Sequence, residues 1–154
     1  EPLSDKPIIA VKHANNAVRL VDAEKQTIIN TDSLIFDAED TYWIDWKKDG
    51  NLLASCGDDE DVKLYDVREG RKIKYYPNIH TSKLRDESFS LKILTGAIHA
   101  VKWSGDKNIF ATSCMDGTVK VTDMSTEKIL YSGSTEDGRK TQITIAGFLT
   151  GFIN

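Results

Sequence analysis

The chain has 154 residues, of which 40% are hydrophobic and 29% charged, with a net charge of −4. This composition is ordinary for a soluble globular domain with a sizeable core. It argues against a general nucleic-acid binder, since neutralising phosphates needs a surplus of Lys and Arg on one face. The sequence contains no run of 18 apolar residues, the length needed to span a membrane, and no N-terminal signal pattern is visible.

Three segments of the sequence align without a gap, starting at Ile9, Leu53 and Phe110. Each contains an alanine followed at one fixed distance by an aspartate, and the aspartate closes a Val-(Lys or Arg)-(Leu or Val)-x-Asp run. These pairs are Ala10 with Asp22, Ala54 with Asp66, and Ala111 with Asp123. Apolar and polar residues alternate between breaks of Gly, Asp and Asn, which is typical of short antiparallel strands.

Tryptophans extend two of the three repeats upstream. Trp46 precedes Ala54 by the same distance as Trp103 precedes Ala111, and each ends an alternating strand. Because the two tryptophans occupy equivalent positions, we expect them to pack between neighbouring sheets. Trp43 lies an odd number of residues before Trp46, so it should point to the opposite face and pack against the other neighbouring sheet.

The repeat predicts a stack of small sheets. A four-stranded sheet of this size has two apolar faces and cannot bury both alone, so it must pack on a neighbour of its own kind. The spacing from Asp22 to Asp66 falls in the range of about 40 to 45 residues that is typical of propeller blades. We therefore predict an all-β chain of β-propeller blades, each with four antiparallel strands, in an incomplete ring.

In chain order, the pattern predicts part of a blade at residues 8–33 and a full blade at 41–78. An enlarged loop at 78–95 precedes a second full blade at 97–133, and residues 141–154 could begin a further one. This makes about three to three and a half blades, whereas a closed ring needs at least four. We expect the remaining blades to come from sequence beyond these residues, with a second chain as the alternative.

The repeats resemble the WD-repeat family. Asp22, Asp66 and Asp123 look like the aspartate of the signature Trp-Asp pair, although the preceding Trp is replaced in every repeat. Asp59 and Asp116 resemble the family's structural turn aspartate, which in typical members bonds the His of a Gly-His pair.

Counting back from the strand-end tryptophans, the resemblance assigns the Gly-His positions to four residues that do not match. These are Ile93 and Leu94 in one blade and Phe36 and Asp37 in the other. We therefore expect each turn aspartate to bond backbone N–H groups of its own turn.

No catalytic, metal or cofactor constellation is predicted. The histidines His13, His80 and His99 are scattered and lack metal-ligand spacing, and the acidic run 58–61 lacks the spacing of a calcium loop. No nucleophile or phosphate-binding motif occurs. The two cysteines, far apart, suggest a reducing, intracellular location, cytoplasmic or nuclear. We predict a protein that is not an enzyme and binds no cofactor.

The resemblance also implies a partner-binding face, where the innermost strands begin. Its contact positions fall on Asp40, Tyr42 and Asp58 in one blade and on Ala97, His99 and Met115 in the next. Two amphipathic rings and a thioether suit such a surface. The long loop, which contains Phe89 and Leu91, is a second candidate.

The leading functional prediction is a non-catalytic protein-interaction scaffold within a larger intracellular complex, with other proteins as partners. The alternative is a propeller subunit associated with RNA or DNA, using the basic run 68–74. That run is better explained as a solvated turn and strand edge, since charge on an edge strand also prevents aggregation. Nucleic-acid binding is therefore allowed but not indicated, and membrane association is not expected.

Overall fold

A computed structural model describes residues 7–12, 18–29, 41–80, 96–105 and 107–134. This part of the chain forms eleven β-strands in three antiparallel sheets and contains no helix. Neighbouring strands in each sheet follow one another in sequence, so every sheet is a simple meander. The prediction of an all-β fold is confirmed.

The strands fall into three groups. The first sheet contains β1 (Ile8–Lys12), β2 (Val18–Asp22) and β3 (Thr27–Ile29). The middle sheet contains β4 (Thr41–Trp46), β5 (Leu52–Gly57), β6 (Val62–Asp66) and β7 (Arg71–Tyr76). The third sheet contains β8 (Ile98–Trp103), β9 (Ile109–Cys114), β10 (Thr118–Asp123) and β11 (Ile129–Ser134).

The middle and third sheets repeat each other down to their irregularities. In both, the innermost strand carries a bulge near its start, between Thr41 and Trp43 in β4 and between Ile98 and Ala100 in β8. In both, a second register shift separates the third strand from the outermost one. Because a bulge adds one residue to a strand and aims its side chain out of the ladder, equivalent bulges present equivalent side chains.

One hydrophobic core joins the middle sheet to the third. Leu64 of β6 packs with Trp103 of β8 and Phe110 of β9, and Tyr76 at the end of β7 also enters this core. The Phe110 ring meets the edges of Tyr76 and Trp103 at centroid distances of 5.2 and 5.6 Å. Edge-to-face contacts of this kind add to the burial of apolar area. One face of the middle sheet is therefore buried against the third sheet.

A second core joins the first sheet to the middle one. Leu20 of β2 packs with Leu53 of β5 and Tyr65 of β6, and Trp46 lies against them. The two strand-end tryptophans thus pack between sheets, as predicted. Trp43 differs, since it is 41% exposed. No sheet in the described residues covers it.

Three repeat-equivalent aspartates shape the turns before the outermost strands. Oδ1 of each accepts two backbone N–H bonds from the residues two and three positions later, at 2.7 to 3.1 Å. The aspartates are Asp22, Asp66 and Asp123. Each turn then needs one residue with positive φ, and that position is held by Gln26, Gly70 and Glu127. This shared turn explains why the repeats close on aspartate.

The described sheets form a stack that does not close into a ring. Ile9 of the first sheet is 51% exposed, while its equivalents Leu53 and Phe110 are fully buried by the sheets before them. The outer face of the first sheet is therefore built like an inter-sheet face but lacks a neighbour among the described residues. The incomplete propeller predicted from the repeats is confirmed.

Candidate partner-binding rim

The two bulges bring two repeat-equivalent rings together. Tyr42 is the extra residue in β4 and His99 the extra residue in β8. Their rings stack, with centroids 5.4 Å apart and planes inclined by 15°. The pair therefore spans the junction between the middle and third sheets. We call Tyr42, Asp58, His99 and Met115 the rim.

Asp58 fixes the tyrosine of this stack. It follows directly after β5, and its carboxylate accepts a hydrogen bond from the Tyr42 hydroxyl at 2.5 Å. A bond to an ionised acceptor is stronger than one between neutral groups. Tyr42 is thus held by His99 on one side and by Asp58 at its tip, although the ring remains 37% exposed. An ordered, accessible aromatic ring results.

Met115 occupies the position in the third sheet that Asp58 holds in the middle one. Its N–H donates to the Ala97 carbonyl at 3.0 Å, while its side chain is 38% exposed. Ala97 itself is buried. Of the predicted contact positions, direct contacts join Tyr42 to His99 and Asp58. Met115 is linked through its backbone to the buried Ala97. Asp40 lies outside the described residues.

A close approach at Gly96 joins the turns of the two sheets. A Cβ atom at Gly96 would lie 2.1 Å from Cδ of Glu60, so only glycine allows the glutamate side chain to rest there. Glu60 adopts a positive φ of 64° between Asp59 and Asp61. The acidic turn of the middle sheet thus packs against the start of the third sheet.

The turn aspartates lie just below the rim. Asp59 accepts a hydrogen bond from the Asp61 N–H at 3.3 Å and forms an ion pair with Lys63, whose side chain is nearly buried. Asp116 accepts bonds from the Thr118 N–H and hydroxyl at 2.8 and 2.6 Å. Both carboxylates bond their own turns.

His80 joins the second of these turns. Its Nε2 lies 2.7 Å from the Thr112 hydroxyl, and its Nδ1 lies 2.7 Å from the Thr118 hydroxyl and 4.0 Å from Asp116. The imidazole is completely buried. Burial lowers the pKa of His80 to about 4 against the opposing pull of Asp116, so the ring is neutral near pH 7.

The sequence-based assignment of this histidine position was wrong. It placed the position at Leu94 by counting back from Trp103, and Leu94 lies outside the described residues. The structure puts His80 beside Asp116 instead. The enlargement of the loop thus falls after the histidine, and a count at fixed spacing steps over it. A search for any His within the enlarged loop 78–95 would have found it.

The same residues form the one group of potential metal ligands among the described residues. Ligand atoms of His80, Cys114 and Asp116 lie within 4.8 Å of one another. However, both imidazole nitrogens already bond threonine hydroxyls, and burial raises the pKa of the Cys114 thiol to about 12. Because a metal ligand must be deprotonated, this chemistry favours a hydrogen-bonded structural joint over a metal centre.

Two cations of the basic run 68–74 form ion pairs with nearby carboxylates. Arg71 pairs with Glu69, and Lys74 pairs with Glu127 of the third sheet, each at 2.6 Å. The pair with Glu127 raises the pKa of Lys74. These cations are therefore partly neutralised by neighbouring carboxylates. No helix in the described residues is long and apolar enough to cross a membrane.

Comparison with known proteins matches two stretches of the chain to the family model described as WD domain, G-beta repeat, at residues 35–66 and 88–123. The chain is 35% identical over 77 residues to WD repeat-containing protein 1 of Xenopus tropicalis, and 32% identical over 78 residues to human Transducin beta-like protein 2. These matches cover 50% and 51% of the chain but only 11% and 16% of the two relatives. Both matched stretches end on the aspartates that cap equivalent turns, Asp66 and Asp123. Residues 35–66 and 88–123 therefore match repeats of the WD-repeat family.

Proposed function

We propose that the chain is a non-catalytic scaffold that binds another protein through the rim. The observation that carries this proposal is the Tyr42–His99 stack, which crosses the junction of two sheets and is braced by Asp58. A surface built from two repeats at once has a shape that neither repeat has alone. It can therefore select a partner.

The rim has the chemistry of a binding hot spot. Tyrosine offers a large apolar ring with a polar tip, and methionine adapts its shape to a partner. Because stacking and the hydrogen bond to Asp58 already order Tyr42, little side-chain entropy remains to be lost on binding. We expect the ring to contribute to affinity as anchoring aromatics do in other interfaces.

The test uses alanine variants of the two stacked rings. A partner is captured from a lysate with the wild-type chain, purified, and titrated calorimetrically against Tyr42→Ala and His99→Ala. Each variant should weaken binding about tenfold or more, which corresponds to ~1.4 kcal/mol. Circular dichroism melting checks that both variants remain folded.

The matched control is Tyr75→Ala, which removes an exposed tyrosine from β7 instead of the rim. It should bind with wild-type affinity. If all three variants bind like wild type, the rim is not the partner surface. The same conclusion follows if Tyr75→Ala weakens binding as much as the rim variants do.

We propose that residues 8–33, 41–78 and 97–133 act as blades of a larger propeller in a multi-subunit complex, completed by further sequence or by another chain. The exposed face around Ile9 supports a further neighbour. An intracellular location is supported by the reduced, buried thiols of Cys56 and Cys114. The paired charges of the basic run favour a protein partner over RNA or DNA.

A further inference from the structure

The outermost strand of the third sheet is an uncharged and exposed edge. β11 has the sequence I-L-Y-S-G-S and lies last in its sheet. Ile129, Leu130 and Tyr131 are 49%, 49% and 60% exposed. Edge strands present unpaired backbone N–H and C=O groups, and proteins commonly protect them with charges. β11 has no such protection.

β7, the equivalent strand of the middle sheet, carries such protective charges. Its sequence is R-K-I-K-Y-Y, in which Lys72 and Lys74 hold the positions of Ile129 and Tyr131. Ile73 remains 40% exposed although the third sheet packs on the middle one. A further blade on the third sheet would therefore leave β11 accessible as well. Its exposure does not depend on an incomplete ring.

We propose that the edge of β11 binds β11 of a second copy of this chain, antiparallel, so that two third sheets join into one continuous sheet. A two-fold axis would pass between Tyr131 and Ser132, the middle of the strand. Such pairing sets residues of one strand against residues of the same strand.

The absence of charge selects a second copy as the partner. Like charges directly opposite one another destabilise paired strands. β7 would set its Arg and Lys residues against those of its mate, whereas β11 has no charge to repel. The chain as a whole carries a net charge of −4, so two copies repel weakly at other surfaces. The outermost strand of the first sheet, β3, is also uncharged but has only three residues, whereas β11 has six, so β11 offers the longer ladder for pairing with itself.

Sedimentation velocity of the 154-residue chain tests this inference. Because one strand pair is a small interface, we expect a reversible monomer–dimer equilibrium with a Kd on the order of 10 μM. The variant Ile129→Lys/Tyr131→Lys, which copies the lysines of β7, should raise that Kd more than about tenfold. Tyr75→Lys, an equally exposed substitution on β7, should leave it unchanged.

Two outcomes would overturn the proposal. One is a wild-type chain that stays monomeric up to about 200 μM, well above the expected Kd. The other is a dimer that survives the double lysine variant but dissociates with Ile9→Lys, since association would then use the open face of the first sheet. Loss of the dimer in the β11 variant alone supports the proposal.

A cross-linking measurement keeps the test valid if the lysine variant fails to fold. Ser132→Cys places a thiol beside the expected two-fold axis, while the native cysteines are buried. Mild oxidation should yield a disulfide dimer much faster than it does for Glu69→Cys, an exposed control on the turn before β7. Equal rates for the two variants would contradict pairing through β11.

Discussion

The middle and third sheets build the same turn but satisfy its aspartate differently. Asp59 pairs directly with Lys63 from its own sheet. Asp116 lies beside His80, which comes from the segment after β7, and Lys120, the equivalent of Lys63, donates instead to the Ile79 carbonyl at 2.7 Å. Where the histidine is present, the lysine is turned away from the aspartate.

The two sheets thus share the backbone of the repeat, whereas the polar contacts of the turn aspartate can be exchanged. One sheet balances a buried carboxylate with a cation. The other uses neutral hydrogen bonds among His80, Thr112 and Thr118. Burial alone would raise the pKa of Asp116, yet bonds from Thr118 and Cys114 hold it below its ordinary value. The two turns should therefore respond differently to substitution and to pH.

Breaking the ion pair of Asp59 and Lys63 should cause the largest loss of stability. Asp59→Asn keeps an acceptor for the Asp61 N–H but removes the carboxylate that faces the charge of Lys63, in a site where both side chains are about nine-tenths buried. Breaking a buried pair should lower the free energy of unfolding by about 3 to 4 kcal/mol, measured by urea denaturation.

Two further variants test whether the loss of stability comes from the buried lysine charge. Adding Lys63→Met to Asp59→Asn removes the buried lysine charge as well and should restore much of the lost stability. Asp116→Asn, in the turn with no direct lysine, should cost only about 1 kcal/mol. Equal losses for the two aspartate variants would show that the turns do not differ in the way their contacts indicate.

The second effect is a pH dependence that belongs to the third sheet. Burial lowers the pKa of His80 to about 4, below the ordinary value of 6.5, so the unfolded chain binds the proton more tightly. Stability should be flat above pH 6.5 and fall as the pH drops from 6.5 to 4, by roughly 3 kcal/mol in total.

Urea denaturation between pH 7 and pH 5 measures this slope. His80→Gln, which does not titrate, should reduce it, whereas contributions from other groups persist in both proteins. The window ends above the ordinary range of Asp116, so that carboxylate adds little. An identical slope in both proteins would mean that His80 is not buried in its neutral form.

The smallest effect concerns the turns before the outermost strands. Gly70 and Glu127 hold equivalent positions with φ near 60°, which glycine adopts without strain. Gly70→Ala should destabilise the chain by about 1 kcal/mol, while Glu127→Gly should stabilise it by about 0.5 kcal/mol despite losing an exposed pair with Lys74. Thermal melting of both variants measures the two shifts. Shifts of the same sign would contradict the assigned turn.

The strands and their faces could be predicted because period-2 alternation and repeated turn residues act locally. Trp46 and Trp103 illustrate this, since equivalent positions in a repeat share one environment. Trp43 shows the limit of the method. Alternation gives the face of a residue, but burial depends on whether a neighbouring sheet covers that face, and here it leaves Trp43 41% exposed.

The site was less predictable than the fold. The resemblance places Tyr42 and His99 at contact positions, but only coordinates show that their rings stack. It also includes Ala97, which the structure shows to be buried. The choice between Lys63 and His80 as the neighbour of a turn aspartate depends on loop length, which a fixed spacing cannot capture. Partner binding by the rim stays a prediction.

The anchoring of the chain at His80 and at Gly96 has an evolutionary consequence. His80 is held by two hydroxyls of the third sheet, and Gly96 lies under Glu60 of the middle sheet. With both ends fixed, residues can be inserted between them without shifting the register of either sheet, and doubling such a loop costs only about 0.6 kcal/mol. Insertions in this interval should therefore lower the stability of the domain only slightly.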